Sequence, residues 1–258
     1  MQVTMTGRNA LITGGSLGIG RAIATRFVES GGNVALVARR QEVLDEAQAE
    51  VQKAGGGKVI TVAADVGTAE GCQATFDRVT AELGQVDILV NNAGTSRRGD
   101  FETITDEMWQ VDIDLKLFGA IRLARAALPG MKDRKWGRII NVLNTGAKAP
   151  PASGAPTAVT RAAGMALTKV LAGEGAAHNV LVNAVLVGRI ESDQWEQRAK
   201  KANKPVAQIY EEMSDVVPMG RIGTAEEFAN IVTMLASDQG SYVTGTAINI
   251  DGGMSPVV

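Results

Sequence analysis

Residues 9–20 read NALITGGSLGIG, a short apolar run followed by a loop with four glycines. Helical patterning follows at once in RAIATRFVES, residues 21–30. A strand, a glycine-rich turn and a helix in this order let a pyrophosphate approach bare backbone at a helix N-terminus. A glycine-rich loop alone can be a plain turn, but this one lies where the motif requires it. It predicts dinucleotide binding by Gly14, Ser16, Leu17, Gly18, Ile19 and Gly20.

Apolar runs like the first one recur along the chain, and longer segments with helical patterning separate them. The runs are continuous rather than alternating, which is typical of parallel strands covered by helices on both faces. We therefore predict an α/β fold with three layers, a Rossmann-type doubly wound sheet of seven parallel strands in one domain spanning 1–258. The predicted strands are 9–13, 33–38, 58–64, 86–91, 138–143, 180–187 and 246–250.

One irregular insertion, residues 189–217, follows the sixth predicted strand and is rich in charged residues. Ligands of such sheets bind beyond the carboxyl ends of the strands, where this insertion begins. It is either a mobile lid over a ligand or a solvated helical excursion.

Composition excludes several classes of protein. The chain has 258 residues, 45% of them apolar, and a formal net charge of −2, without the basic surface of a nucleic-acid-binding protein. Its one cysteine, Cys72, cannot form an intrachain disulfide and suits a reducing compartment. Neither a signal peptide nor a membrane span is visible, and no cluster of metal ligands stands out. We expect a soluble, cytoplasmic protein without a metal.

The second predicted strand ends in Ala38, Arg39 and Arg40. A carboxylate at this place would bind the ribose 2′-hydroxyl of NAD. Two guanidinium groups instead favour the 2′-phosphate of NADP. The sequence therefore predicts NADP(H) rather than NAD, unless these arginines only begin a helix.

Four motifs together resemble the short-chain dehydrogenase/reductase family over nearly the whole chain. They are TGGSLGIG at 13–20, Asp65-Val66, NNAG at 91–94 and the ending PMGRIGTAEEFANIVTMLASDQGSYVTGTAINIDGG at 218–253. The resemblance implies a Rossmann-type domain, a homotetramer or homodimer, that moves hydride between a nicotinamide and a carbonyl or alcohol of a small molecule. It implies adenine contacts from Asp65 and Val66 and ribose contacts from Asn92 and Gly94. Further candidate cofactor contacts are Arg161, Gly188, Ile190 and Ser192.

The resemblance also locates the catalytic positions, where the family usually has Asn, Ser, Tyr and Lys. The first lies seven residues after Trp109 and is Lys116 here. The second ends the fifth strand and is Asn144, and the last two, in GAPTAVTRAAG at 154–164, are Thr157 and Arg161. All four differ from the family's set, so its standard mechanism is in doubt while its fold and cofactor are not.

No misplaced tyrosine accounts for this difference. The chain has only two, Tyr210 in the insertion and Tyr242 in the C-terminal motif. Neither precedes a basic residue by four on the helix that begins near Thr157. The site therefore has to obtain its proton from another group.

The chemistry of the remaining side chains narrows the choice of proton donor. An aliphatic hydroxyl has a pKa near that of water, roughly 15.7, about 5 units above tyrosine, so Thr157 should not be the acid. Arg161 stays protonated and can hold ribose hydroxyls or an anionic substrate. Asn144 can donate a hydrogen bond to a carbonyl oxygen, as in an oxyanion hole.

Lys116 is the best remaining candidate for a general acid. It falls on an apolar helical stripe with Trp109, Ile113, Ala120 and Leu123. Desolvation there would lower its pKa toward the working range. Alternatively, Lys116 forms a structural or surface ion pair with Asp112, four residues before it.

Three functions remain open. The leading one is an NADP(H)-dependent oxidoreductase that acts slowly or through an altered proton path. The others are a redox-silent NADP-binding sensor or partner subunit, and non-redox carbonyl chemistry with Lys116 as base or Schiff-base amine. The helix over 158–171 is apolar almost all round, so we expect burial by its own sheet and by a partner subunit of a homo-oligomer.

Overall fold

A computed structural model describes residues 3–258 and shows a sheet of seven parallel strands. Their order is β3-β2-β1-β4-β5-β6-β7, and every neighbouring pair is parallel. The predicted fold class is confirmed, with strand ends within two residues of the sequence expectation. The strands are β1 (Asn9–Thr13), β2 (Asn33–Ala38), β3 (Val59–Ala63), β4 (Ile88–Asn91), β5 (Gly137–Asn144), β6 (Val180–Val187) and β7 (Ala247–Ile250).

Helices cover both faces of the sheet and form two large cores, and a smaller third cluster contains Leu143, Ala147, Ala184 and Leu186. The helices are α1 (Gly18–Glu29), α2 (Gln41–Gln52), α3 (Ala69–Leu83), α4 (Asp106–Ile113), α5 (Gly119–Asp133), α6 (Thr157–Gly175), α7 (Asp193–Ala202), α8 (Val206–Ser214) and α9 (Ala225–Ala236). Phe27 of α1 and Phe228 of α9 belong to one core, and Leu123 of α5 belongs to the other. The result is the three-layer arrangement expected from the sequence.

Strand β1 shows why the strands are apolar throughout. All five of its residues are buried. Ala10 and Ile12 point into the core with α1, whereas Leu11 between them points into the core with α5. Because side chains alternate between the faces of a sheet, a strand covered on both faces needs apolar residues at every position.

The long helix expected after NNAG is interrupted by one π-helical segment, Asp114–Phe118, between α4 and α5. Such segments shift the helical register and often occur at functional sites. Here the buried residues of this turn are Asp112 and Lys116, while Ile113 is only half-buried. The predicted stripe thus holds two half-buried members, Trp109 and Ile113, and lies beside a buried carboxylate, Asp112, that the apolar spacing did not indicate.

The insertion at 189–217 contains the two helices α7 and α8. Most of its residues are exposed, and Ala199 and Met213 anchor it through buried side chains. Its function as a lid stays a prediction. Among residues 3–258, no helix has both the length and the apolar character that crossing a bilayer requires.

Candidate active site

A cavity of about 180 Å³ lies at the carboxyl edge of the sheet, where the strand order reverses between β1 and β4. Ligands of doubly wound sheets bind at such reversal points. Seven predicted cofactor contacts line the cavity: Gly14, Ser16, Arg39, Arg40, Asp65, Val66 and Gly94. The structure thus brings together residues from four separate loops that the sequence assigned to one ligand.

Close backbone packing shapes the glycine-rich loop. A Cβ atom on Gly20 would overlap the carbonyl oxygen of Gly14 and also lie 2.6 Å from Asn92 Nδ2. Asn92 Nδ2 donates to the carbonyl oxygens of Thr13 and Gly14, both at 3.0 Å. Asn92 therefore holds the loop in place through its side chain.

The positive charge of the cavity comes from the end of β2. Arg39 and Arg40 are exposed, and neither forms an ion pair within residues 3–258. Two unpaired guanidinium groups beside a cavity that also offers bare glycine backbone fit a dinucleotide with an additional phosphate. The residues present therefore fit NADP(H).

The loop after β6 approaches the same glycine-rich turn. A Cβ atom on Gly18 would lie 3.7 Å from Ser192 Cβ and 3.1 Å from Asp193 Oδ2. Ile190 is buried and forms an isolated bridge with Gly223, which fixes the loop. Ser192 thus lies beside Gly18, and the Asp193 carboxylate at the first turn of α1 was not foreseen.

Lys116 lies next to Gly94, which lines the cavity: its Cε is 3.6 Å from the Cβ position of Gly94, and its ammonium group is enclosed. Its side chain and that of Asp112 are each 1% exposed, and Nζ donates to Asp112 Oδ1. Nζ also donates to Thr157 Oγ1 at 2.7 Å, and Thr160 Oγ1 donates to Asp112 Oδ2 at 2.7 Å. The ion pair with Asp112 is therefore buried and not on the surface.

Burial lowers the pKa of Lys116 to about 8, and the nearby charge of Arg161 contributes in the same direction. The hydrogen bond and the charge of Asp112 oppose this shift, while Arg97 adds to it. An ammonium group with this pKa is protonated at neutral pH and can still release its proton. This is the protonation behaviour that a general acid needs.

The hydroxyl group of Thr157 is held in one orientation. Its Oγ1 accepts hydrogen bonds from Lys116 Nζ and from the backbone nitrogen of Arg97, at 2.7 and 3.0 Å. A hydroxyl group has two acceptor positions and one hydrogen. Since both acceptor positions are filled, the hydrogen of Thr157 remains for donation to another group.

Arg161 connects Lys116 to the cavity. Its guanidinium donates from Nη1 to the carbonyl oxygen of Val142 at 2.9 Å, while Nη2 lies 2.5 Å from the Cβ position of Gly94. Burial lowers the pKa of Arg161 to about 10, so the group remains a cation at neutral pH. A side chain at position 94 would therefore require the guanidinium group to shift.

Asn144 ends β5 at the same edge of the sheet and pairs in register with Val187. Its Oδ1 is enclosed and has no hydrogen-bond partner among residues 3–258. Buried polar atoms without a partner are uncommon and often mark functional positions. The structure thus joins Lys116, Thr157 and Arg161 in one group, with Asn144 nearby in the sheet but not bonded to them.

Sequence reasoning missed Thr160, Arg97 and Asp193. Thr160 lies one helical turn after Thr157, a spacing that could have suggested a shared face. Arg97 contributes through its backbone, and Asp193 meets Gly18 across the fold, so neither left a local signal. No group of three or more metal-ligating side chains occurs within residues 3–258.

Comparison with known proteins identifies the family. Residues 14–255 match the family model described as enoyl-(acyl carrier protein) reductase. The chain belongs to the short-chain dehydrogenase/reductase family. Among curated members of this family, acetoacetyl-CoA reductase of Shinella zoogloeoides is 34% identical over 95% of this chain and 98% of its own length. Oxidoreductase UcpA of Escherichia coli is 36% identical over 96% of this chain and 95% of its own length.

A solved structure of this family matches over the full length of both chains. L-Sorbose reductase from Gluconobacter frateurii, complexed with NADPH and L-sorbose, is 36% identical and superposes with a TM-score of 0.96. Levodione reductase is 28% identical and has a TM-score of 0.92 over 98% of this chain and 100% of its own. The predicted family membership is therefore confirmed.

Proposed function

We propose that this protein is an NADP(H)-dependent oxidoreductase that interconverts a carbonyl compound and its alcohol, with Lys116 as the source of the proton. Family membership and the NADPH complex of L-sorbose reductase support the reaction class and the cofactor. The observation that carries the role of Lys116 is its enclosed ammonium group, bonded to a Thr157 hydroxyl whose hydrogen is free to donate.

Bound NADPH would supply the hydride in this reaction. The cofactor would lie along the cavity in contact with Ser16, Asp65 and Gly94. Its 2′-phosphate would accept hydrogen bonds from Arg39 and Arg40. Arg161 lies above Gly94 and donates to the carbonyl of Val142, and it would also donate hydrogen bonds to the ribose hydroxyls of the cofactor.

The proton path that this proposal requires runs through two side chains. Thr157 donates its hydroxyl hydrogen to the substrate oxygen and at the same time receives a proton from Lys116 Nζ. Lys116 ends as a neutral amine bonded to Asp112, and Thr157 is never a free alkoxide. This path avoids the high pKa that excludes Thr157 as an acid by itself. Asn144 would orient the substrate oxygen by a hydrogen bond.

The test is NADPH oxidation by the wild-type protein at high concentration with a panel of ketones, diketones and quinones, after NADPH binding has been measured by fluorescence. We expect turnover of at least one compound. Intact NADPH binding with no oxidation across the panel would contradict the proposal and favour a redox-silent NADP-binding protein. Substrate loss without a change in nicotinamide absorbance would favour non-redox carbonyl chemistry.

The variant Thr157→Val provides a specific test of the proton path. Valine keeps the volume of threonine but removes the hydroxyl between Lys116 and the substrate, so kcat should fall about 10²-fold or more. NADPH affinity should stay within twofold. Thr168→Val is the matched control, because the Thr168 hydroxyl is also buried but bonds to Asn141 and Gly164. An unchanged kcat in Thr157→Val contradicts the path.

Cofactor preference can be tested at the end of β2. Arg39→Ala and Arg40→Ala should each weaken NADPH binding about tenfold or more, because a charge-assisted hydrogen bond contributes about 1.5–3 kcal/mol. NADH lacks the 2′-phosphate, so its affinity should change little. Fluorescence titration measures the affinity for each nucleotide. An equal loss of affinity for NADH and NADPH would contradict the assignment of these arginines to the 2′-phosphate.

We propose that a second copy of the chain covers an apolar surface on α4, α6 and the π-helical segment between α4 and α5. Val111, Phe118, Val159 and Val170 there are 40–58% exposed, and large exposed apolar patches mark interaction sites. The double variant Val159→Asp, Val170→Asp should convert an oligomer into monomers, because association would have to bury the two new carboxylates without partners. Analytical ultracentrifugation measures this change. A wild-type monomer, or an unchanged oligomer in the variant, would contradict the interface.

A further inference from the structure

Two arginines of the insertion, Arg189 and Arg198, lie against the ring of Trp195. The guanidinium carbons of Arg189 and Arg198 lie 5.7 and 4.6 Å from the centre of the Trp195 ring. Arg98 is close enough to Arg189 for its charge to act on it. We call Arg98, Arg189 and Arg198 the arginine cluster.

The arginine cluster flanks the groups to which the reaction is assigned. Arg98 forms an isolated antiparallel bridge with Pro156, the residue directly before Thr157. Arg189 follows β6 by two residues, and the last residue of β6 pairs with Asn144. Arg98 and Arg189 therefore stand on the two loops that border Thr157 and Asn144, and Arg198 of α7 joins them beside Trp195.

Nothing among residues 3–258 neutralises this charge. None of the three arginines forms an ion pair, and Nε of Arg189 is enclosed without a hydrogen-bond partner. Burial lowers the pKa of Arg189, and the charges of Arg98 and Arg198 lower it further. Like charges held together in a half-buried place destabilise the protein unless an anion joins them.

The acidic side chains of the same segment face elsewhere. Glu191, Asp193 and Glu196 line a separate cavity of about 360 Å³ beside α1, together with Tyr210. Their charges contribute to raising the pKa of Tyr210, after the larger effect of burial. The carboxylates of the segment thus line the cavity beside α1, whereas Arg189 and Arg198 pack on Trp195.

We propose that the arginine cluster binds an anionic group of the substrate, so that the protein acts on carbonyl compounds carrying a carboxylate or a phosphate. Guanidinium groups bind both anions with paired hydrogen bonds, and stacking on Trp195 keeps two of them in place. This inference rests on the oxidoreductase function proposed above for the same site. It adds the substrate class, which neither the cofactor cavity nor Lys116 specifies.

Matched pairs of substrates test the inference. One pair is 4-oxopentanoate and its methyl ester, and the other is dihydroxyacetone phosphate and dihydroxyacetone. The anionic member of at least one pair should have a kcat/KM about tenfold or more above its neutral partner. Its KM should rise with salt, since exposed charges are screened. The two pairs distinguish a carboxylate from a phosphate. Equal kcat/KM values within both pairs overturn the proposal and leave the oxidoreductase function intact.

Variants assign the effect to the cluster. Arg189→Met and Arg98→Met keep the long apolar stem and remove the charge, so KM for the anionic member should rise about tenfold or more. KM for the neutral member and kcat should change little. Arg78→Met is the matched control, because Arg78 pairs with Glu82 on the exposed surface of α3. An equal change in KM for both members, or none, contradicts the proposal.

A binding measurement separates failure of this inference from failure of the proposed function. Calorimetry with NADP⁺-saturated protein should show binding of 4-oxopentanoate or dihydroxyacetone phosphate, lost in Arg189→Met but not in Arg78→Met. If NADPH is oxidised with no compound but this binding is observed, the anion site stands and the redox function fails. Absence of binding of both anions, together with equal rates or no rates, overturns the anion site.

Discussion

Lys116→Gln should lower kcat for NADPH-dependent carbonyl reduction about 10²–10⁴-fold, the range typical for loss of a general acid. Glutamine can still donate hydrogen bonds to Asp112 and Thr157, but it cannot give up a proton. NADPH affinity should therefore stay within twofold. Steady-state rates on a substrate found in the panel, with fluorescence titration of NADPH, measure both quantities.

The control for this substitution lies on the next helix. Lys132→Gln removes a half-buried lysine near the C-terminal end of α5, far along the helix from the cavity. Its Nζ lies 3.8 Å from Glu174 Oε2. It should leave kcat unchanged. A Lys116→Gln protein that is folded, binds NADPH and keeps its kcat would reduce Lys116 to a structural partner of Asp112.

The pH dependence of the wild-type rate follows from the same group. With the pKa of Lys116 lowered to about 8, the ammonium form predominates below that pH. The rate of reduction should be level in the neutral range and fall about tenfold per pH unit above the pKa. The reverse oxidation should gain in the same interval, because it needs the neutral amine. In Lys116→Gln, neither the fall in the reduction rate nor the gain in the oxidation rate above this pKa should occur. A wild-type rate independent of pH from 7 to 10 would contradict the assignment of Lys116 as the proton donor.

Asp112→Ala should lower the free energy of unfolding at pH 7 by about 3–5 kcal/mol, because it leaves a buried cation without its partner. Part of the loss should return as pH rises. The pKa of Lys116 is lower in the folded than in the unfolded protein, so between these values the unfolded state binds more protons and stability increases with pH. Urea denaturation at pH 7 and pH 9.5 measures both effects.

A double variant tests whether the charge is the cause. Asp112→Leu combined with Lys116→Met replaces the ion pair by apolar side chains of similar length. It should be closer to the wild type in stability than Asp112→Ala, as with other buried pairs replaced as a unit. A double variant less stable than Asp112→Ala would show that packing around Thr160, and not unpaired charge, determines the loss.

The fold could be predicted from the sequence because its signals are local and repeated. Each continuous apolar run forms a strand, and the helix expected to begin near Thr157 begins at that residue. Strand ends differed by up to two residues, as at β4, where Val86 and Asp87 precede the ladder. Boundaries depend on the last hydrogen bonds of each strand, which composition does not specify.

The sequence proposed candidate site residues but could not indicate their contacts. Lys116, Asn144, Thr157 and Arg161 were found by position, yet no spacing could show that Lys116 bonds to Thr157, forty-one residues away. Asp112 is buried at the end of α4, directly before the π-helical segment, and no spacing indicated this. Arg189 and Trp195 belong to a charged insertion, and their contact exists only in three dimensions.

The contact between Arg161 and Gly94 has a consequence for the evolutionary history of this site. The guanidinium group fills the space above Gly94, its neighbour Lys116 is bonded to Thr157, and Thr157 is bonded to the backbone at Arg97. Changing any one of these side chains leaves another without its partner, so their effects are not additive. A lineage that changed one of these side chains at a time would therefore cross poorly functioning intermediates. Such epistasis favours inheritance of Lys116, Thr157 and Arg161 as a block.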